Sequence, residues 1–187
     1  MTPPGDAPPV AGSAGPEAAP LILTLAFDDR SFARFEALRR AHFPPERNLI
    51  PAHLTLFHHL PGPQLPVILA DLRRTCRDAA PFPLAVTGLR PLGRGVALTL
   101  AAPDLARLRE RLAALWSEWL IPQDRQAHRP HVTIQNKVEP AAAKALLADL
   151  SAGFSPWTAR AEGLLLWRYH GGPWERLARL PFTARRS

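Results

Sequence analysis

The chain has 187 residues, 47% hydrophobic and 21% charged, which fits one globular domain with a real core and excludes a multi-domain machine, a fibrous chain and a wholly disordered one. Lysine and arginine number 23 against 16 aspartates and glutamates, a net charge of +7 carried almost wholly by arginine, with lysine only at Lys137 and Lys144; that balance points to anionic partners, nucleic acid or nucleotides first. Cys76 stands alone, so the chain forms no intrachain disulfide and no cysteine-based zinc cage.

In chain order, residues 1–20 hold six of the 22 prolines and little to bury, and read as a disordered tail. They lack an apolar stretch behind a basic start, and no apolar run anywhere reaches the roughly 18 residues a bilayer requires. A cytoplasmic protein with no membrane partner is the expectation. Ordered structure is expected from Leu21, with an apolar strand over 21–27 and a helix over about 29–42 after Asp28-Asp29. Residues 43–52 form a loop, and the next strand carries His53-Leu54-Thr55. A helix over 65–78 and a hairpin over 83–90 and 94–101 follow. A third helix over 103–120 places Leu105, Leu108, Leu112, Leu115, Trp116 and Trp119 on a core face and Arg109 elsewhere. A strand with His131-Val132-Thr133, a helix from Pro140 to about 150, and a hairpin over 157–169 and 174–181 complete the domain, with 183–187 as a short tail.

The order repeats itself. Leu23-Thr24-Leu25-Ala26 recurs as Leu98-Thr99-Leu100-Ala101, an offset of 75, and His53-x-Thr55 recurs as His131-x-Thr133, an offset of 78. Strand, helix, loop, His-x-Thr strand, helix and hairpin occur twice, which reads as a duplicated α+β unit, about 21–93 and 94–182.

Residues i and i+2 of a strand share a face, so each copy presents one imidazole beside one hydroxyl. Facing across a pseudo-twofold axis, the copies bring two imidazoles and two hydroxyls into a groove. A neutral imidazole takes a proton from an attacking oxygen, a protonated one gives a proton to a leaving oxygen, and the hydroxyls donate to non-bridging phosphate oxygens. The scheme needs no metal and no cofactor.

The paired motifs, His53-Leu54-Thr55-Leu56-Phe57 and Arg129-Pro130-His131-Val132-Thr133-Ile134, resemble those of the 2H phosphoesterase superfamily, in particular its bacterial 2′-5′ RNA ligase-like members, over residues 21–182. The resemblance implies a bilobal α+β fold, with two antiparallel-rich sheets lining a central groove and helices outside. It implies metal-independent opening of 2′,3′-cyclic phosphates of RNA ends or nucleotides to 2′-phosphates by an acid–base pair that matches His53 and His131 here, with Thr55 and Thr133 as phosphate ligands. Some members join RNA ends through a 2′-5′ linkage. In this chain Ile134-Gln135-Asn136 intervenes before Lys137, where RNA-processing members often place a basic residue earlier.

Further candidates surround these four. Arg47, Arg125 and Arg129 lie in loops leading to the motif strands, placed to close over a phosphate or terminal base. By alternation Phe57 and Gln135 take the next groove-facing positions, Phe57 either stacking on a base or packing in the core. Trp167 and Tyr169 alternate on the last hairpin and are candidates to line the groove. His58 and His59 lie about 13–20 Å from His53 along an extended strand, too far to share an ion; His59 is expected at the surface, and His42 and His170 carry no signal. The expected protein is a monomeric hydrolase acting on RNA with a 2′,3′-cyclic phosphate end or on a cyclic nucleotide; the alternatives are a module that binds such ends without turnover, and a ligase.

Overall fold

The computed structural model describes residues 16–185. Strand β1 (Leu21–Phe27) is buried at every position, as a strand paired on both edges and covered on both faces requires. Helix α1 (Asp29–His42) starts where the Asp28 carboxylate accepts the Ser31 N–H at 3.0 Å, and ends at Phe43, just before Pro44-Pro45, with Arg39, Arg40 and His42 in its last turn. Then follow β2 (Thr55–Leu60), α2 (Leu65–Asp78), β3 (Phe82–Pro91), β4 (Val96–Ala101), α3 (Pro103–Leu115), α4 (Pro122–Arg125), β5 (His131–Gln135), α5 (Pro140–Ala152), β6 (Trp157–Arg168) and β7 (Glu175–Pro181). A proline occupies the first turn of each of α2 to α5, where its fixed φ and missing N–H cost nothing.

All strand pairs are antiparallel. The order is β2-β1-β6-β3-β4-β5, with β7 added beside β6. Exchanging β1, β2 and β3 with β4, β5 and β6 reverses this order onto itself, so a pseudo-twofold axis passes between β3 and β6. The two sheets expected of the two lobes therefore meet through the β3–β6 pairing in one seven-stranded sheet. Strand β7 has no counterpart and breaks the symmetry. The motif strands β2 and β5 end the path, five strand spacings or about 24 Å apart if the sheet were flat. His128, just ahead of β5, nevertheless donates from Nε2 to the Thr55 carbonyl of β2 at 2.9 Å. The sheet curls until its ends meet.

The core fills the curl with residues that include Leu23, Leu25, Leu54, Leu56, Leu98, Leu100, Leu164 and Leu166, closed by Phe35, Leu72 and Leu112 from the helices and by Trp116 just past α3. Helix α3 differs from expectation in two places. It stops at Leu115, which is 51% exposed, while Arg109 is buried. Positions 105, 108, 109, 112 and 116 form one stripe at 3.6 residues per turn, so Arg109 shares the core face and Leu115 falls at its margin.

The ends of the domain also extend further than expected. Pro16–Ala18 form a 3-10 turn, Ala19 and Pro20 are buried, and a Cβ on Gly62 would strike the carbonyls of Glu17 and Ala19, so glycine permits this close approach. At the other end Thr183 and Ala184 donate backbone N–H groups to Cys76 and Ala79. Of the tails expected over 1–20 and 183–187, residues 1–15 and 186–187 lie outside the described residues. No helix among the described residues is long and apolar enough to cross a membrane.

Candidate active site

The two histidines of the motifs are held alike. His53 Nδ1 lies 2.8 Å from the carbonyl of Pro51, and His131 Nδ1 lies 2.8 Å from the carbonyl of Arg129, each two residues back. A carbonyl only accepts, so Nδ1 carries the hydrogen in both rings and Nε2 is the nitrogen that exchanges a proton. His53 is further flanked by Trp174, their ring centroids 4.8 Å apart, and Trp174 meets Trp167 edge-on at 6.0 Å.

Both motif strands bulge just after the threonine. In β2 the pairing with β1 passes from Thr24–Thr55 to Leu23–Phe57, and in β5 the pairing with β4 passes from Ala97–Thr133 to Val96–Gln135. One extra residue, Leu56 or Ile134, enters each strand and reverses the alternation beyond it. A Cβ on Gly95 would strike the Gln135 carbonyl, so the β5 bulge also depends on a glycine beside it.

The outer edge of β2, a sheet end, is closed by unlike parts. His128 takes the Thr55 carbonyl. Arg109 donates from Nε to the Leu56 carbonyl at 3.0 Å and from Nη2 to the Asp124 carbonyl, its guanidinium 4.3 Å from the Phe57 ring centre. The Asp124 carboxylate accepts the His58 and His59 N–H groups at 2.9–3.1 Å and the His58 Nδ1 hydrogen at 2.9 Å. Across the groove Arg39 of α1 donates from Nη1 to the Thr133 carbonyl at 2.8 Å and from Nε to Asn48. Each lobe thus extends a buried arginine to a carbonyl of the other lobe's motif strand, and edge groups that water would otherwise solvate are satisfied internally.

Burial pushes the His128 pKa down to about 4, helped by the charges of Arg109, His131 and His58 and opposed by the Thr55 hydrogen bond, so this ring is neutral and structural at neutral pH. Burial also lowers the Arg109 pKa, with Asp124 acting against it, and pushes the Cys76 thiol up to about 12, leaving it inert.

Between the lobes lies a cavity of about 280 Å³ lined by His53, Thr55 and His58 of one lobe and Thr133, Asn136 and Lys137 of the other, with Tyr169 and Trp174 from the β6–β7 connection. Among the described residues Arg39, Arg47 and Lys137 line it, and no carboxylate does. Lys137 is the sole non-glycine residue with positive φ (60°) among the described residues. A backbone shape that glycine adopts freely is here given to a cation on the cavity wall. A larger cavity of about 590 Å³ lies by α2, α3 and the C-terminal segment. Its Arg107 and Arg111 pair with Asp104 and Asp78, and it contains no motif residue.

A family model described as the 2′-5′ RNA ligase superfamily matches residues 27–173, a span that includes both motif strands and most of the cavity lining. The chain belongs to this family. That membership establishes the 2H phosphoesterase resemblance and places the chain among phosphoesterases. Among solved structures, TT0787 of Thermus thermophilus matches with a TM-score of 0.67 at 22% identity, over 89% of this chain and all of its own. E. coli LigT complexed with 3′-AMP matches at 0.55 and 17%, over 89% and 99%. A protein described only as a phosphoesterase matches at 0.56 and 18%, over the same shares. At such identities the fold is what is shared. No curated protein matches the chain.

Of the expected site residues, His53, Thr55, Thr133, Arg47 and Tyr169 line the cavity. His131 is not in its lining but shares the face of Thr133, since no bulge separates them. Arg129 is exposed and outside the lining; what it contributes is its carbonyl. Phe57 and Gln135 do not face the groove. Both are buried, Phe57 against Trp116, because the bulges turn them inward. Trp167 is buried and donates to the Thr24 hydroxyl. His59, expected at the surface, is half-buried, with Nδ1 buried and unpartnered. Sequence reading missed His58, Asn136, Arg39 and Trp174 as lining residues and Asp124 behind them.

Proposed function

We propose that the protein opens 2′,3′-cyclic phosphates of RNA ends or nucleotides to 2′-phosphates, with His53 and His131 as the acid–base pair. The observation that carries this reading is the matched anchoring of both rings, Nδ1 to the carbonyl two residues back, which leaves an exchangeable Nε2 in each copy of the repeat. Water attacks phosphorus and gives its proton to the neutral imidazole. The bond to the ribose 3′-oxygen breaks, and that oxygen takes a proton from the other, protonated imidazole. Atoms and charge balance, and the second histidine ends as the first began. Thr55 and Thr133 donate hydroxyl hydrogen bonds to the non-bridging oxygens as charge builds there. Two proton transfers at roughly 10²–10⁴-fold each suffice for a strained cyclic diester.

The cationic lining formed by Arg39, Arg47 and Lys137 supports an anionic substrate, and Tyr169 and Trp174 supply aromatic faces for a base. That LigT has been solved with 3′-AMP, NADP+ and ATP supports a nucleotide. The family's name fits the same chemistry: a ribose 5′-hydroxyl in place of water would give a 2′-5′ linkage. The test is incubation with 2′,3′-cyclic AMP and with a short RNA ending in a 2′,3′-cyclic phosphate, in excess EDTA. The 2′-monophosphate is the expected product. The 3′-isomer, or no product from either substrate, would overturn the proposal.

A further inference from the structure

The reaction above uses two imidazoles, and a third lines the same cavity. His58 follows Thr55 by three residues, and the bulge at Leu56 returns it to the groove side in place of Phe57. Its side chain is 25% exposed, open to a ligand, while that of Asp124 is 1% exposed. One buried carboxylate fixes the ring twice, holding Nδ1 at 2.9 Å and the backbone N–H of the same residue at 2.9–3.0 Å. With the Nδ1 hydrogen given to Asp124, Nε2 is the nitrogen left to meet a ligand, and in the imidazolium form of the ring it donates its hydrogen to an acceptor oxygen.

The matching position of the other lobe, three residues after Thr133, is Asn136, whose Oδ1 is taken by the Lys137 N–H at 2.7 Å. The lobes are alike at His-x-Thr and differ at this third position. A substrate lying across the pseudo-twofold axis therefore meets an imidazole on one side and an amide on the other. Since the described residues of the lining include the cations Arg39, Arg47 and Lys137 and no carboxylate, the chemistry that suits the extra imidazole is a phosphoryl oxygen.

We propose that His58 contacts substrate, and that Asp124 positions it, in a subsite for a second phosphoryl group beyond the one held by Thr55 and Thr133. The subsite rests on the reading of the groove as a phosphodiester site, and equilibrium binding separates the two claims. Adenosine 2′-monophosphate and adenosine 2′,5′-bisphosphate are titrated calorimetrically into the full chain. The wild type is expected to bind the bisphosphate at least about tenfold more tightly, the worth of a hydrogen bond to a charged group. His58→Ala is expected to cut that preference to about twofold or less while leaving monophosphate affinity within about twofold. His58→Asn copies Asn136 and keeps a donor for Asp124; it is expected to match His58→Ala, because the imidazole and not the strand is what is lost. Asp124→Asn is expected to weaken the preference, and full retention would remove its positioning role.

Equal weakening of both ligands by His58→Ala, an unchanged preference, or no wild-type preference would overturn the subsite. Turnover of cyclic phosphates without the preference leaves the proposed reaction standing and the subsite refuted. The preference without turnover has the opposite meaning.

Discussion

Arg109 offers a quantitative test of how the groove is built. It is 8% exposed and donates to the carbonyls of Leu56 and Asp124. Arg109→Met keeps much of the bulk and removes every donor. A buried acceptor left without a partner costs about 1–3 kcal/mol, and two are created. Loss of the contact with Phe57, centred 4.3 Å away, adds about 1 kcal/mol. Against this, the guanidinium no longer has to be desolvated, a cost visible in its lowered pKa. The net loss is about 3 kcal/mol, which lowers Tm by about 6–12 °C in a domain of this size. Arg109→Lys keeps a cationic donor for one of the two carbonyls and should recover about half of that. Thermal melts followed by circular dichroism read the effect; a shift below about 2 °C for Arg109→Met would refute the claim that this arginine holds the β2 bulge in place.

Two further outcomes are expected. Burial holds the His128 pKa near 4 in the folded chain against an ordinary 6.5, so the unfolded chain takes up a proton that the folded chain refuses, and stability should fall as pH drops from about 6.5 towards 4. Melts across that window should show the loss, and His128→Gln, which keeps a donor for the Thr55 carbonyl, should flatten it; an unchanged slope would show that His128 is not its source. Trp174→Ala removes an aromatic face beside His53 and should raise KM for a nucleotide substrate roughly tenfold, the worth of one base stacked on an aromatic ring, with kcat within about threefold. A drop in kcat alone would mean that Trp174 orients His53 and does not bind a base.

The parts of this protein that repeat were readable in its sequence. The LTLA and His-x-Thr copies carry strand, helix and strand in fixed order, and the sheet order reversing onto itself is their three-dimensional counterpart. Strict alternation failed at Phe57 and Gln135, because a bulge is a property of pairing with a neighbour and one strand's own residues do not reveal it. The same shift hid His58 and Asn136, which alternation assigned to the far face. Asp124 lies 66 residues from His58, on a four-residue helix with no periodicity to read. Trp174 follows Gly171-Gly172-Pro173 in a connection whose path only β7 determines. Arg109 departs from expectation for a different reason: charge does not imply exposure where a position lies within the apolar stripe of α3 and carbonyls of β2 and α4 receive the guanidinium.

The central claim is that His53 and His131 perform complementary proton transfers on a phosphodiester. Its most direct test is the turnover of 2′,3′-cyclic AMP by His53→Ala, His131→Ala and the double variant, each shown to melt like the wild type. The account predicts that each single variant loses about 10²–10⁴-fold in kcat and that the double variant falls little further, because either half of the pair is useless alone. A single variant retaining kcat within about tenfold of wild type would contradict it.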